Sequence, residues 1–347
     1  MNKKTMMAVV KESAAPGLAY KKLPVPRPGP GQVLVKVAAA SVCGTDSLIY
    51  EWAPWAASRI TLPRVIGHEF AGVVEETGEG VVGTETGDRV SAESHYFCGR
   101  CYQCRTGRPE VCANHKIMGV DADGSFAEHI VVPAANIWHN HPDIPDDVAS
   151  LQEPLGNAVD TVAAEDISGK RVLITGAGPM GLMCIAVAKA MGASRIMVSD
   201  PNEYRLELAR LMGADIVLNP KVMNIEGPVL SATRGEGVDV LLEISGNAKA
   251  LSTGLALLAA GGRASLLGIF RGPVPVDLNN HIIFKKIRLY GITGRKPFST
   301  WHTVSRLLYS GRLDIGPLIT HRMKLAEYEK GFTLMKSGRC GKVVFTP

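Results

Sequence analysis

The segment KRVLITGAGPMGLMCIAVAKAMGA, residues 170–193, constrains the fold of this chain more than any other. An apolar run, a glycine turn and a second apolar run with no polar face before Lys189 read as a strand, a tight turn and a buried helix. The pattern then repeats in outline. RIMVSD (Arg195 to Asp200) precedes the helical PNEYRLELARLMGA, and VDVLLEISG (Val238 to Gly246), GGRASLLGIF (Gly261 to Phe270) and IRLYGIT (Ile287 to Thr293) supply further buried strands. Strands alternating with helices predict an α/β unit with a doubly wound parallel sheet.

Within it, Gly176, Gly178 and Gly181 stand where a dinucleotide fingerprint requires them. The first makes the turn, the second lets the backbone approach a pyrophosphate, and the third lets helix pack on strand. Asp200 ends the next strand, where a carboxylate accepts bonds from ribose hydroxyls and repels a 2′-phosphate. NAD is therefore favoured over NADP, although Arg205, one turn into the following helix, faces the same ribose edge.

The first 150 residues have a different texture. Short apolar or alternating runs bounded by Gly and Pro, among them GQVLVKVAAASVC, FAGVVEETG, GDRVSAES and FAEHIVVP, predict a β-rich module with long loops. The tail from about Phe298 mixes helix and strand and ends in GKVVF, a strand suited to rejoining that module. With 347 residues, 46% hydrophobic, the chain has the length of about two domains. Its formal charge of +5 comes from scattered lysines and arginines, which argues against a nucleic-acid partner. The apolar stretch before Lys11 is too short for a secretory signal and no later segment has the length of a membrane span, so the expected location is the cytoplasm.

In a reducing compartment the seven cysteines are thiols or metal ligands. Four crowd into CGRCYQCRTGRPEVC as Cys98, Cys101, Cys104 and Cys112, with Gly99 and Gly107 permitting tight turns. Such a lobe wraps four thiolates around a structural zinc, with an iron–sulfur cluster as the competitor. A closed sulfur shell leaves no room for substrate. Cys43, His68, Glu69 and Glu153 form a second donor set of mixed type, suited to a zinc with an open position, and Asp46 is placed to hold the far ring nitrogen of His68.

These motifs, CGTD, GHE, the four-cysteine lobe, EPLGNAVDT and GAGPMG in that order, resemble those of zinc-dependent medium-chain alcohol dehydrogenases. IYEWAPWA, ESH, VSDPNEYRLELA, GITGR and PLITHR are similar to the segments of the L-threonine 3-dehydrogenase branch. The resemblance implies a GroES-like catalytic domain (1–155 and 298–347) with an inserted Rossmann domain (156–297), two zincs per chain, NAD, a small-molecule substrate and a homotetramer without membrane association. It carries the catalytic zinc ligands onto Cys43, His68 and Glu69, with Glu153 as a further ligand or proton-handling carboxylate. Cofactor contacts fall on Met180, Asp200, Arg205, Leu267, Gly268, Ile269, Ile292 and Thr293, and catalytic roles on Thr45, Glu153 and His95.

One position departs from the pattern. The family's proton relay passes from the residue at Thr45 to a histidine, and here that place holds Leu48, which has no lone pair. A water chain or the cofactor ribose must then carry the proton to solvent, or Glu153 or Glu51 stands in, or the site has drifted to another substrate or to low activity. The expected reaction is oxidation of the β-hydroxyl of L-threonine. Oxidation of another secondary alcohol, such as a polyol or vicinal diol, and a weakened nicotinamide-binding protein are the alternatives. Arg295 is a candidate partner for a substrate carboxylate or a cofactor phosphate, and Trp52, Trp55 and Trp301 for a pocket wall or for packing.

Overall fold

The structure, a computed structural model, describes residues 4–347. Met1, Asn2 and Lys3, which belong to the expected first domain, lie outside the described residues. Two compact units are present. One comprises the chain up to Pro154 with Lys296–Tyr309 and Ile319–Pro347, and the other Leu155–Arg295 with Ser310–Leu318.

The first unit is built on a seven-stranded sheet whose centre is the pair Gln32–Ser41 and Glu69–Thr77. Val33, Val35 and Val37 alternate into the core against Phe70 and Val74, as period-two patterning requires. The GKVVF strand, Lys342–Thr346, enters this sheet beside Gln32–Ser41, with Val344 opposite Ser41 and Phe345 opposite Ala40. The strands in GDRVSAES and FAEHIVVP, Arg89–Ala92 and His129–Pro133, are shorter than their apolar runs; in the second, Phe126 and Glu128 bond instead to Ile66 and Met7.

The second unit holds a six-stranded parallel sheet in the order Ile216–Leu218, Arg195–Ser199, Arg171–Thr175, Val238–Glu243, Leu258–Leu266, Arg288–Gly291. The strand expected from Gly261 begins earlier, at Leu258, and ends at Leu266, where Leu267 and Gly268 turn to bond the Glu243 carbonyl. Helix Pro179–Ala190 is buried from Gly181 to Ala188, which explains its missing polar face. Ser310–Leu318, expected with the first domain, groups with the second unit. Leu313, Ile315 and Leu318 are buried there, and the Gly316–Leu318 turn packs on helices Pro179–Ala190 and Glu203–Met212.

Candidate active site

In the first unit, Cys43 caps the N-terminus of helix Gly44–Tyr50, its N–H donating to the Asp46 carboxylate at 2.8 Å. His68 and Glu69 leave the turn at Gly67, whose φ of +91° favours glycine. That turn is clamped from outside: a Cβ on Gly119 or Gly124 would fall 2.5 or 2.1 Å from the Gly67 carbonyl oxygen. The result brings ligand atoms of Cys43, His68 and Glu69 within 4.8 Å of one another.

Several polar atoms here lack hydrogen-bond partners among the described residues. They are Asp46 Oδ1, His68 Nδ1 and Glu69 Oε1, all buried, and the 3.7 Å between His68 Nδ1 and Asp46 Oδ1 is too long for a hydrogen bond. A buried polar atom left unpaired costs free energy; a cation among Cys43, His68 and Glu69 would give Glu69 Oε1 its partner, and a thiol, an imidazole and a carboxylate this close together fit a zinc. Burial disfavours the His68 imidazolium, yet the neighbouring Cys43, Asp46 and Glu153 charges hold its pKa well above the usual value. Burial pushes the Asp46 carboxyl up to about 6.

Glu69 is only partly available. Its Oε2 accepts from the Ser41 hydroxyl and from the buried ammonium of Lys342, which also donates to the Val42 carbonyl at 2.9 Å. Glu153 stands outside the tight grouping of Cys43, His68 and Glu69, and accepts from the Ser94 hydroxyl at 2.5 Å. The Thr45 hydroxyl lies 3.7 Å from the Cys43 sulfur, and Leu48 is 42% exposed. Glu51 pairs with Lys336 at 3.2 Å on the surface. The His95 ring is 5.8 Å from that of His115, beside the cysteine lobe, and the His95 backbone N–H donates to the Glu93 carboxylate at 2.9 Å. Trp301 is fully buried and donates to Glu93 at 2.8 Å, which favours packing over a pocket wall; Trp52 lies over Lys11, and Trp55 over Arg59. Lys342, Ser94, Ser41 and Glu93 were not singled out in the sequence. Glu93 and Ser94 lie within ESH and Lys342 opens the apolar strand of GKVVF, but nothing in the sequence gives any of the four its partner.

The four lobe cysteines also gather within 4.8 Å. Cys112 Sγ lies 3.6 Å from Cys98 Sγ and 3.7 Å from Cys101 Sγ, close to the roughly 3.8 Å edge of a tetrahedron with 2.3 Å metal–sulfur bonds. Backbone N–H groups of Cys98 and Asn114 point at Cys112 Sγ, and those of Arg100 and Cys101 lower the Cys98 thiol to about 6. Donor type and spacing thus fit a structural zinc.

The second unit collects its candidate cofactor residues at the carboxyl ends of the parallel strands, where such sheets bind ligands. Gly176 takes φ +96° with Ser245 backbone 3.0 Å from where a Cβ would stand, and a Cβ on Gly181 would fall 1.9 Å from the Gly176 carbonyl. Gly178, the N-cap of helix Pro179–Ala190, has open space where its Cβ would be, which is the room a pyrophosphate needs. Met180 follows in the first turn of that helix. Asp200 accepts the N–H groups of Ala177 and Asn202, each at 2.8 Å, and Arg205 approaches it at 3.9 Å, its Nε without a hydrogen-bond partner among the described residues. Leu267, Gly268 and Ile269 follow the fifth strand in spatial order, Ile292 and Thr293 the sixth. Arg295 is buried and donates to Asn157 at 3.0 Å.

Comparison with known proteins gives a consistent picture. Residues 29–146 match the alcohol dehydrogenase GroES-like domain family and residues 179–310 the zinc-binding dehydrogenase family. The L-threonine 3-dehydrogenases of Pyrococcus abyssi and Pyrococcus horikoshii are each 56% identical over 98% of both chains. An Escherichia coli alcohol dehydrogenase solved with NADH superposes with a TM-score of 0.90 at 30% identity, covering 99% of each chain. With its donor set, its cysteine lobe and its glycine fingerprint in the family's order, the chain belongs to the zinc-dependent medium-chain dehydrogenases.

Proposed function

We propose that this chain is a zinc- and NAD-dependent dehydrogenase that oxidises the β-hydroxyl of L-threonine to 2-amino-3-oxobutanoate, releasing NADH and a proton. The observation that carries the reading is identity above one half with L-threonine 3-dehydrogenases along almost the whole chain. Cys43, His68 and Glu69 or Glu153 hold the catalytic zinc, and Cys98, Cys101, Cys104 and Cys112 the structural one. When bound, the metal polarises the substrate hydroxyl as a Lewis acid and the nicotinamide accepts the hydride.

The chain's own residues handle position and proton. Thr45, beside the Cys43 sulfur, orients the substrate hydroxyl and takes its hydrogen bond. Leu48 passes nothing on, so the proton leaves by water or by Glu153, whose carboxylate is held by Ser94 and acts on His68 electrostatically. Glu51 is the weaker substitute because it is already paired with Lys336. His95 borders the site from the lobe side. Gly176, Gly178 and Gly181 cradle the pyrophosphate, with Met180 beside it, while Asp200 selects NAD through the ribose and Arg205 lies against it. Leu267, Gly268, Ile269, Ile292 and Thr293 line the nicotinamide end.

The protein works as a homotetramer in the cytoplasm. Support for assembly comes from the edge strand Arg288–Gly291, open on one side and preceded by Ile283 and Phe284, which are 61% and 76% exposed. No described helix is long and apolar enough to cross a membrane.

The test follows NADH formation by zinc-loaded protein with NAD and L-threonine, beside sorbitol and 2,3-butanediol. Turnover selective for threonine is expected. Turnover with the neutral alcohols alone overturns the substrate assignment, because a threonine site must pair both an ammonium and a carboxylate.

A further inference from the structure

Glu243 ends the strand beside the fingerprint strand and is fully buried. Among the described residues no lysine or arginine forms an ion pair with it; its partners are dipoles. Oε1 accepts the N–H groups of Ser245 at 2.9 Å and Gly246 at 3.1 Å, the Ser245 hydroxyl, and the Thr175 hydroxyl at 3.4 Å. Oε2 accepts from Gly246 at 3.2 Å. The Glu243 carbonyl takes the N–H groups of Leu267 and Gly268, both at 3.0 Å, and a Cβ on Gly268 would lie 2.4 Å from Oε2. Through its carboxylate and its backbone carbonyl together, Glu243 thus joins the ends of three neighbouring strands, and the carboxylate lies against the turn assigned above to the nicotinamide.

Hydrogen bonding alone does not call for an anion here. A neutral acceptor also satisfies these donors, whereas a buried carboxylate without a cation is costly to desolvate. A fixed negative charge differs from a neutral acceptor in its field. The two cofactor states differ in one feature that such a field reads: the nicotinamide ring is cationic when oxidised and neutral when reduced, with the rest of the dinucleotide unchanged.

We propose that Glu243 biases the site toward oxidised over reduced cofactor, favouring entry of NAD and release of NADH. The inference rests on the reading of the second unit as the NAD site. A unit charge within about 10 Å at an effective dielectric constant near 20 alters binding of the cationic ring by about an order of magnitude. Partial neutralisation by the surrounding N–H groups brings the expectation to roughly three- to tenfold.

The experiment measures dissociation constants of the full chain for NADH, by its fluorescence, and for NAD and ADP-ribose by competition. Glu243→Gln is expected to raise the NAD-to-NADH ratio of dissociation constants roughly three- to tenfold, with ADP-ribose following NADH. Glu243→Asp keeps the charge and shortens the reach, so it weakens all three ligands and leaves the ratio near that of the unsubstituted chain. Ser245→Ala removes one donor and leaves the carboxylate less neutralised, so it moves the ratio the opposite way and decides by its sign should the Gln variant fail to fold. An unchanged ratio in Glu243→Gln, the same change in Gln and Asp variants, or no change or a rise in the ratio in Ser245→Ala overturns the proposal. Failure of the unsubstituted chain to bind NADH overturns the cofactor reading instead.

Discussion

Replacing Lys342 by methionine tests whether the metal-site carboxylate is held in place by a buried charge pair. The Lys342 side chain is 3% exposed and that of Glu69 1%, and the ammonium also serves the Val42 carbonyl. Methionine fills similar space and removes the charge, leaving Glu69 buried with only the Ser41 hydroxyl on Oε2. Breaking such a pair by deleting one partner costs about 3–5 kcal/mol, and the surviving Ser41 bond puts the expectation near the low end, about 3 kcal/mol. Removing both charges, in Lys342→Met with Glu69→Gln, should restore part of the loss, because neither buried charge is then left alone. All four tryptophans, Trp52, Trp55, Trp138 and Trp301, belong to the first unit, so tryptophan fluorescence during denaturant unfolding reports on that unit alone. Measurement in chelated protein isolates the side chains from any bound cation. A loss below about 1 kcal/mol in the single variant, or strict additivity in the double one, refutes the coupling.

Leu48→His puts an imidazole, as the family resemblance implies for the relay, at a 42% exposed position on the helix that follows Cys43. Turnover should rise by about tenfold and acquire a new dependence on pH near neutrality; an unchanged pH–rate profile refutes a role for the position. Gly181→Ala places a methyl group 1.9 Å from the Gly176 carbonyl, a backbone atom that cannot turn aside. It should weaken NADH binding at least tenfold and destabilise the second unit by about 1–3 kcal/mol, read by fluorescence titration and by melting followed by circular dichroism. Glu165 is held at a pKa of about 2 by hydrogen bonds from Arg288 and Tyr290. With the folded-state value below that of the unfolded chain, its contribution is complete above the ordinary glutamate pKa of about 4.3 and fades as the pH falls toward 2. Glu165→Gln should therefore lower the melting temperature at pH 6 more than at pH 3, and equal shifts at both pH values refute the pairing.

The residues of this chain declare two kinds of information on their own. Periodicity and glycine placement determined the parallel sheet, because a buried strand, a φ of +96° at Gly176 and an all-apolar helix leave few alternative folds. Closely spaced cysteines likewise named their lobe, since a short loop keeps Cys98, Cys101, Cys104 and Cys112 near one another. Cys43, His68 and Glu69, which the structure brings together, were legible only in combination and through family resemblance, each being ordinary alone, whereas Glu153 stands outside that grouping. Lys342 and Glu243 were not legible. Lys342 reaches Glu69 only because the last strand pairs beside Gln32–Ser41, and Glu243 meets Gly268 only because their strands are neighbours in the parallel sheet. Sequence period records which face of an element is apolar, whereas partners for a buried charge come from strand order. Tertiary structure alone set the electrostatics of both sites, since a charge acts through distance in space rather than separation along the chain.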